Sequence, residues 1–224
     1  MRHHLIAALV CLAPCTPCAP APLAAQANPD ARTLGWQVRA DRPTTDPAVL
    51  SFVEMKPGFH ITTGKFSGIM YHPEMTGTGT FEATMKVHFF PPPGQHHEGY
   101  GLIVGGKELA GADVRYLYFL IRNSGEFLIK SRQGAETTEI VAWTSNDAIK
   151  TLPPDATGGT TALNQLTVRA AGDVVRFLVN GTVVATRPRT SLDVDGVVGI
   201  RANHNLNLHV SEIEVTTPGE PAGN

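Results

Sequence analysis

Residues Asn164–Thr186 read NQLTVRAAGDVVRFLVNGTVVAT, and their alternation decides the architecture. Three runs, Gln165–Ala170, Val174–Val179 and Thr182–Thr186, are separated by Gly172-Asp173 and by Asn180-Gly181. Asn-Gly between alternating runs is a strong hairpin signal, because both central residues of the favoured turn take positive φ. A side-chain period of two puts Val175, Phe177 and Val179 on one face and Arg176 on the other. The stretch therefore predicts an antiparallel meander with one apolar side.

The same pattern extends in both directions. Upstream, Thr80–Phe90 alternates until Pro91-Pro92-Pro93. Gly99–Val104 is stopped by Gly105-Gly106, and Thr138–Thr144 forms a further run. Arg115–Ile121 and Glu126–Arg132 flank the turn residues Asn123-Ser124-Gly125. Downstream lie Gly196–Arg201 and Leu206–Val215, and nearer the start Trp36–Arg39, Val49–Glu54, Phe59–Thr62 and Gly68–Tyr71. Helical periodicity is nearly absent, with at most one turn near Asp147. About a dozen short strands punctuated by Gly, Pro, Asn and Asp predict an all-β fold, a two-sheet antiparallel sandwich of jelly-roll type. There is no internal repeat and no interior linker, so residues 28–217 read as one domain.

The ends have a different character. Met1-Arg2-His3-His4 is a short basic start, Leu5–Leu12 is apolar, and Ala25-Gln26-Ala27 offers small residues at a cleavage site. That layout predicts a secretory signal peptide over 1–27, and hence a periplasmic or extracellular protein. The apolar run is far short of the ~20 residues a spanning helix needs, so no transmembrane segment is expected. Cys11, Cys15 and Cys18 all lie in this leader, preceded by Val10, Pro14 and Pro17 rather than by the small residue that lipid attachment requires. The remaining domain then has no disulfide and no thiol chemistry, and it is long enough to be held by its core alone. Residues 218–224, rich in Gly and Pro, read as a disordered tail. The chain carries 18 Lys and Arg against 20 Asp and Glu, with no basic cluster, which argues against a nucleic-acid partner.

Alternation also sorts the middle strands. Leu117, Phe119 and Ile121 share one face, while Tyr116, Tyr118, Leu120 and Arg122 share the other. Phe127 and Ile129 oppose Leu128, Lys130 and Arg132. Each strand thus has an apolar side and a side that mixes aromatic with cationic groups. Tyr118, Arg122, Lys130, Arg132 and Trp143 form a candidate ligand face, with flat apolar platforms beside directional donors. A second candidate, for a sugar or an anion, gathers His60, Arg201, Asn203 and His204.

Tyr116-Leu117-Tyr118-Phe119-Leu120-Ile121-Arg122 with Gly125, Asn164-Gln165-Leu166-Thr167-Val168, Val175-Arg176-Phe177-Leu178-Val179-Asn180-Gly181 and Gly196-Val197-Val198-Gly199-Ile200-Arg201 form a familiar series. The chain resembles the concanavalin A-like lectin/glucanase superfamily, in its laminin-G-like and 3-keto-disaccharide-hydrolase-like bacterial branches. The resemblance runs from about Trp36 to Val215 and implies a jelly roll; such words speak of fold rather than activity. It departs from the glucanases in lacking their alternating carboxylate strand. Of the opening phrase of the hydrolase branch, only Leu34-Gly35-Trp36 remains.

Glu212 and Glu214 flank Ile213 on the last strand. Residues i and i+2 lie roughly 6.6–7 Å apart on a strand, within the separation an inverting glycosidase uses, although a solvated outer face explains them more simply. Glu126 completes the carboxylates of a hydrolase reading. The histidines show neither the i, i+2 strand spacing nor the i, i+4 helix spacing of metal ligands, so no metal is expected from them. A calcium site of the laminin-G kind could draw on Asp113, Asp193, Asp195 and Asn203. The expected function is non-catalytic carbohydrate or glycan recognition, with no cofactor. The alternatives are a carbohydrate-active hydrolase, glycosidase or 3-keto-disaccharide-hydrolase-like, and a structural or adhesive envelope protein.

Overall fold

The computed structural model describes residues 28–92 and 98–217. The proposed leader and tail lie outside the described residues. Fourteen strands form, in chain order β1 (Gln37–Ala40), β2 (Ser51–Glu54), β3 (Phe59–Thr62), β4 (Gly68–Gly77), β5 (Phe81–Phe89), β6 (Tyr100–Lys107), β7 (Arg115–Arg122), β8 (Glu126–Gln133), β9 (Glu136–Ser145), β10 (Ala162–Ala171), β11 (Val174–Val179), β12 (Thr182–Pro188), β13 (Gly196–Ala202) and β14 (Asn207–Thr216). They make two antiparallel seven-stranded sheets: sheet I in the order β1-β4-β13-β6-β7-β8-β9, and sheet II in the order β12-β11-β10-β5-β14-β3-β2. The region near Asp147 forms a turn and no helix.

The inner faces meet as the alternation requires. Leu117, Phe119, Ile121, Phe127 and Ile129 from sheet I share one buried cluster with Val175, Phe177 and Val179 from sheet II. Phe119 meets Phe177 edge to face at 5.4 Å, and Phe89 of β5 stacks on Tyr100 of β6 at 5.3 Å, so aromatic pairs bridge the sheets.

Two asparagines explain why the hairpin words recur. Asn180 sits at φ 50° and Gly181 at φ 82°, the two positive values the turn demands. The Asn180 side chain accepts from the Gln165 N–H at 2.8 Å and donates to the Ala148 carbonyl at 2.7 Å and to the Asn164 carboxamide oxygen at 2.9 Å. Asn164, fully buried, accepts from the Lys150 N–H and donates to the Lys150 carbonyl. The irregular segment after β9 is thereby tied onto the meander, and its buried polar groups are satisfied.

One boundary differs from expectation. Gly105-Gly106 does not stop β6, which runs through to Lys107 with a register shift against β7. Gly105 lies at φ 66°, and a Cβ there would come within 2.2 Å of the Asp193 carbonyl oxygen, so the pair makes a bulge where another backbone presses close.

Candidate functional site

The outer face of sheet I carries a second apolar cluster that includes Tyr71, Ile103, Tyr116, Tyr118, Leu120 and Leu128. Into it, from β13, reaches Arg201. Its cross-strand partner on β6 is Gly101, where a Cβ would come within 2.1 Å of the Phe119 carbonyl oxygen of β7. The guanidinium lies 4.8 Å over the Tyr118 ring and donates to the Tyr116 hydroxyl at 3.1 Å. Its remaining contacts go to Asp41, the first residue after β1, with Nη1 at 3.0 Å and Nη2 at 2.7 Å from the two carboxylate oxygens. Arg132 of β8 donates to the same carboxylate at 2.7 Å.

This cluster is electrostatically tight. Burial pushes the Asp41 carboxyl up, but the hydrogen bonds and charges of Arg201 and Arg132 outweigh it and hold the group below its ordinary value. Burial likewise opposes the Arg201 charge, yet Asp41, Tyr116 and Tyr118 keep that guanidinium more firmly protonated than a free arginine. Burial raises the Tyr118 phenol, with Arg201 opposing. At neutral pH the floor is therefore one carboxylate held between two guanidiniums over aromatic rings.

Above the floor opens a cleft of about 610 Å³, lined by Asp41, Arg42, Thr45, Lys65, Ser67, Glu98, Arg201, Asn203, His204 and Asn205. Its walls come from four chain segments beside the ends of β1, β4, β6 and β13, which lie adjacent in the sheet. Main-chain hydrogen bonds tie these segments together: Asp41 N–H to Ser67 at 2.8 Å, Asn203 N–H to Gly99 at 3.0 Å and Asn205 N–H to Gly64 at 2.6 Å. Glu98 faces His204 at 3.3 Å. Chemically, the cleft presents amides, hydroxyls and cations in a concave, tethered frame, the arrangement that holds polyhydroxylated or anionic molecules.

The candidate residues named from sequence divide into groups. Arg201, Asn203 and His204 share the cleft, with Tyr118 and Arg132 beneath it. Tyr118 is only 6% exposed, so it supports the cations and offers no open stacking platform. Arg122 and Trp143 form a separate pair, the guanidinium 4.2 Å over the indole. Neither residue lines the cleft; the indole packs beside Gly99, where a Cβ would meet it at 3.0 Å. Lys130 faces Glu139 at 3.4 Å. His60 does not join Arg201: it lies on the outer face of sheet II, the opposite side of the sandwich. There it is in register with His209 of β14, which in turn is in register with His88 of β5, with ring centroids 6.2 and 5.9 Å apart.

Glu212 is also on sheet II, bound to Lys86 at 2.7 Å, while Glu214 is exposed; neither lines the cleft. Glu126 is held by Arg122 and Ser124. Of the calcium candidates, Asp193 pairs with Lys107 and Asp195 with Arg189, Asp113 is exposed, and Asn203 belongs to the cleft. Among the described residues no three His, Cys, Asp or Glu converge to hold a metal, and no helix is long and apolar enough to cross a membrane. Sequence reading missed Asp41, Arg42 and Lys65, which sit in polar loops with no periodicity to mark them.

No protein-family model matches the chain, and no curated protein matches it in sequence. Solved structures match it in shape. Carbohydrate binding module CBM66 from Bacillus subtilis superposes with a TM-score of 0.54 at 10% identity, over 81% of this chain and 94% of the other. The fold is a concanavalin A-like sandwich. A Bacillus subtilis protein of unknown function with a galectin-like fold gives 0.56 at 11% identity, covering 85% and 92%. The exoplasmic/lumenal domain of VIP36, in a Ca²⁺- and Man2-bound form, gives 0.55 at 9% identity, covering 84% and 83%. At such identities the likeness is one of fold, and the cleft residues of this concanavalin A-like chain stand on their own geometry.

Proposed function

We propose that the chain is an exported, non-catalytic carbohydrate-recognition module that takes its ligand in the cleft over Asp41 and Arg201. The observation that carries this is the convergence of Asn203, Asn205, Ser67 and Thr45 with cationic groups in one tethered concavity. Sugars offer dense hydroxyls that both donate and accept, which amides and hydroxyls match in both directions. The shared fold supports the reading, since one structural neighbour is named a carbohydrate binding module and another was solved with Man2. Within the superfamily, the late-strand words favour the laminin-G-like and 3-keto-disaccharide-hydrolase-like branches. Export rests on the leader pattern of residues 1–27.

On a glycan array the protein is expected to retain a defined sugar class, and Asn203→Ala to lose it while still folding. Retention unchanged in that variant would remove the cleft from consideration. A hydrolytic alternative now has its own carboxylates, because Asp41 and Glu98 line the same cleft, whereas Glu212 and Glu214 do not. Asp41, held ionised by two guanidiniums, is no proton donor. Release of reducing sugar that disappears in Glu98→Gln would replace recognition with hydrolysis. Mass spectrometry of the exported chain is expected to show an N-terminus at Asn28; a retained or lipid-modified leader would contradict export by this route.

A further inference from the structure

The charges of the cleft do not balance. Its floor holds one carboxylate, Asp41, shared by Arg132 and Arg201. On the β6 side Glu98 is engaged by His204 at 3.3 Å. On the β1 and β4 side stand Arg42 and Lys65, both exposed, and neither forms an ion pair or side-chain hydrogen bond with any described residue. Two cations thus face a concavity whose carboxylates are already engaged, and a concave wall of one sign concentrates the opposite charge.

A second observation points the same way. Arg201 is 9% exposed, yet its Nε is buried with no hydrogen-bond partner. A buried donor left unmet is costly, and such groups are normally satisfied by protein, water or ligand. The residue lines the cleft while Nε itself is sealed from solvent, so the unmet donor adds to the positive field at the cleft floor rather than offering a ligand contact.

We propose that the cleft selects an acidic oligosaccharide, one bearing a carboxylate or sulfate group, with the anionic group seated by Arg42 and Lys65 and neighbouring hydroxyls on Asn203 and Asn205. This rests on the carbohydrate-recognition reading and narrows its ligand class. Neutral sugars would leave both cations without a counter-charge. A simple inorganic anion would leave the amide wall unused.

The test is calorimetric titration of the protein with three matched probes: galactotriose, trigalacturonate, and galactotriose sulfated at O6. One of the charged probes is expected to bind about tenfold or more tightly than the neutral one, the value of a single charge-assisted hydrogen bond. Which of the two wins separates a uronate from a sulfated sugar. The preference is expected to collapse in about 0.5 M salt, where charges this exposed are screened, and to fall about tenfold in the Arg42→Ala/Lys65→Ala double variant. Equal binding of all three probes, or a charged preference that survives the double variant, overturns the proposal. Salt dependence on the unaltered protein keeps the test decisive should the double variant fail to fold. Binding of neutral glycans alone on the array would refute the acidic preference and leave carbohydrate recognition standing. An array with no bound glycan of any kind would remove both.

Discussion

Two charge clusters, one on each outer face of the sandwich, are built in opposite ways. On sheet I, Arg132 and Arg201 converge on the single carboxylate of Asp41 over tyrosine rings, and the side-chain exposures of the three lie between 11% and 24%. On sheet II, cations and carboxylates are matched one to one near solvent, Lys86 with Glu212 and Arg169 with Glu82. Beside them runs the row of three imidazoles. A converging, buried arrangement makes each member indispensable to the others, because removing one strands the rest in low dielectric. Exposed one-to-one pairs are screened and nearly interchangeable with water. The difference teaches which charges are preorganised: the converging cluster has prepaid the cost of ordering its members.

The contrast is sharpest under mutation. Asp41→Ala leaves two buried guanidiniums without their carboxylate and is expected to cost about 3 kcal/mol in denaturant unfolding. Lys86→Ala on sheet II is expected to cost less than about 1 kcal/mol. Equal losses at the two sites would break the comparison.

A smaller effect separates the faces by pH. His209 titrates below an ordinary histidine because burial disfavours its charge first, and His88 and His60 add to that, with the Pro57 backbone opposing. A depressed histidine contributes stability that is complete above the unfolded value and is lost as pH falls below it. Asp41 is also depressed, but as an acid it keeps its contribution above the ordinary carboxylate range and loses it only as pH falls through the folded value. Stability curves recorded from about pH 7.5 downward are expected to show an early decline that His209→Gln removes, and a later one that Asp41→Asn removes. An early decline that persists in His209→Gln would assign it elsewhere.

Much of this architecture was legible because β-strands report themselves locally. Period two assigned Leu117, Phe119 and Ile121 inward and Tyr116 and Tyr118 outward, and the bounds of β11 follow directly from its turn residues. The Gly105-Gly106 bulge was not legible, since whether a glycine pair ends a strand or kinks it depends on the Asp193 backbone pressing on it from another part of the chain. The candidate cleft was legible only in part. Arg201, Asn203 and His204 are neighbours in sequence and were found together. Asp41 lies 160 positions from Arg201, and no local pattern marks it. The histidine row fails for the same reason: His60, His209 and His88 meet through pairing between strands far apart in the chain, so no spacing within one strand betrays them.

The Arg122–Trp143 stack has a practical corollary. The chain holds two tryptophans. Trp36 is sealed in the interior against Phe52 and Phe59, whereas Trp143 is partly exposed beneath a guanidinium and abuts Gly99, next to Glu98 of the cleft. Intrinsic fluorescence therefore divides into a buried emitter that follows global unfolding and a partly exposed one that reports on the Arg122 stack, both followed without added dye.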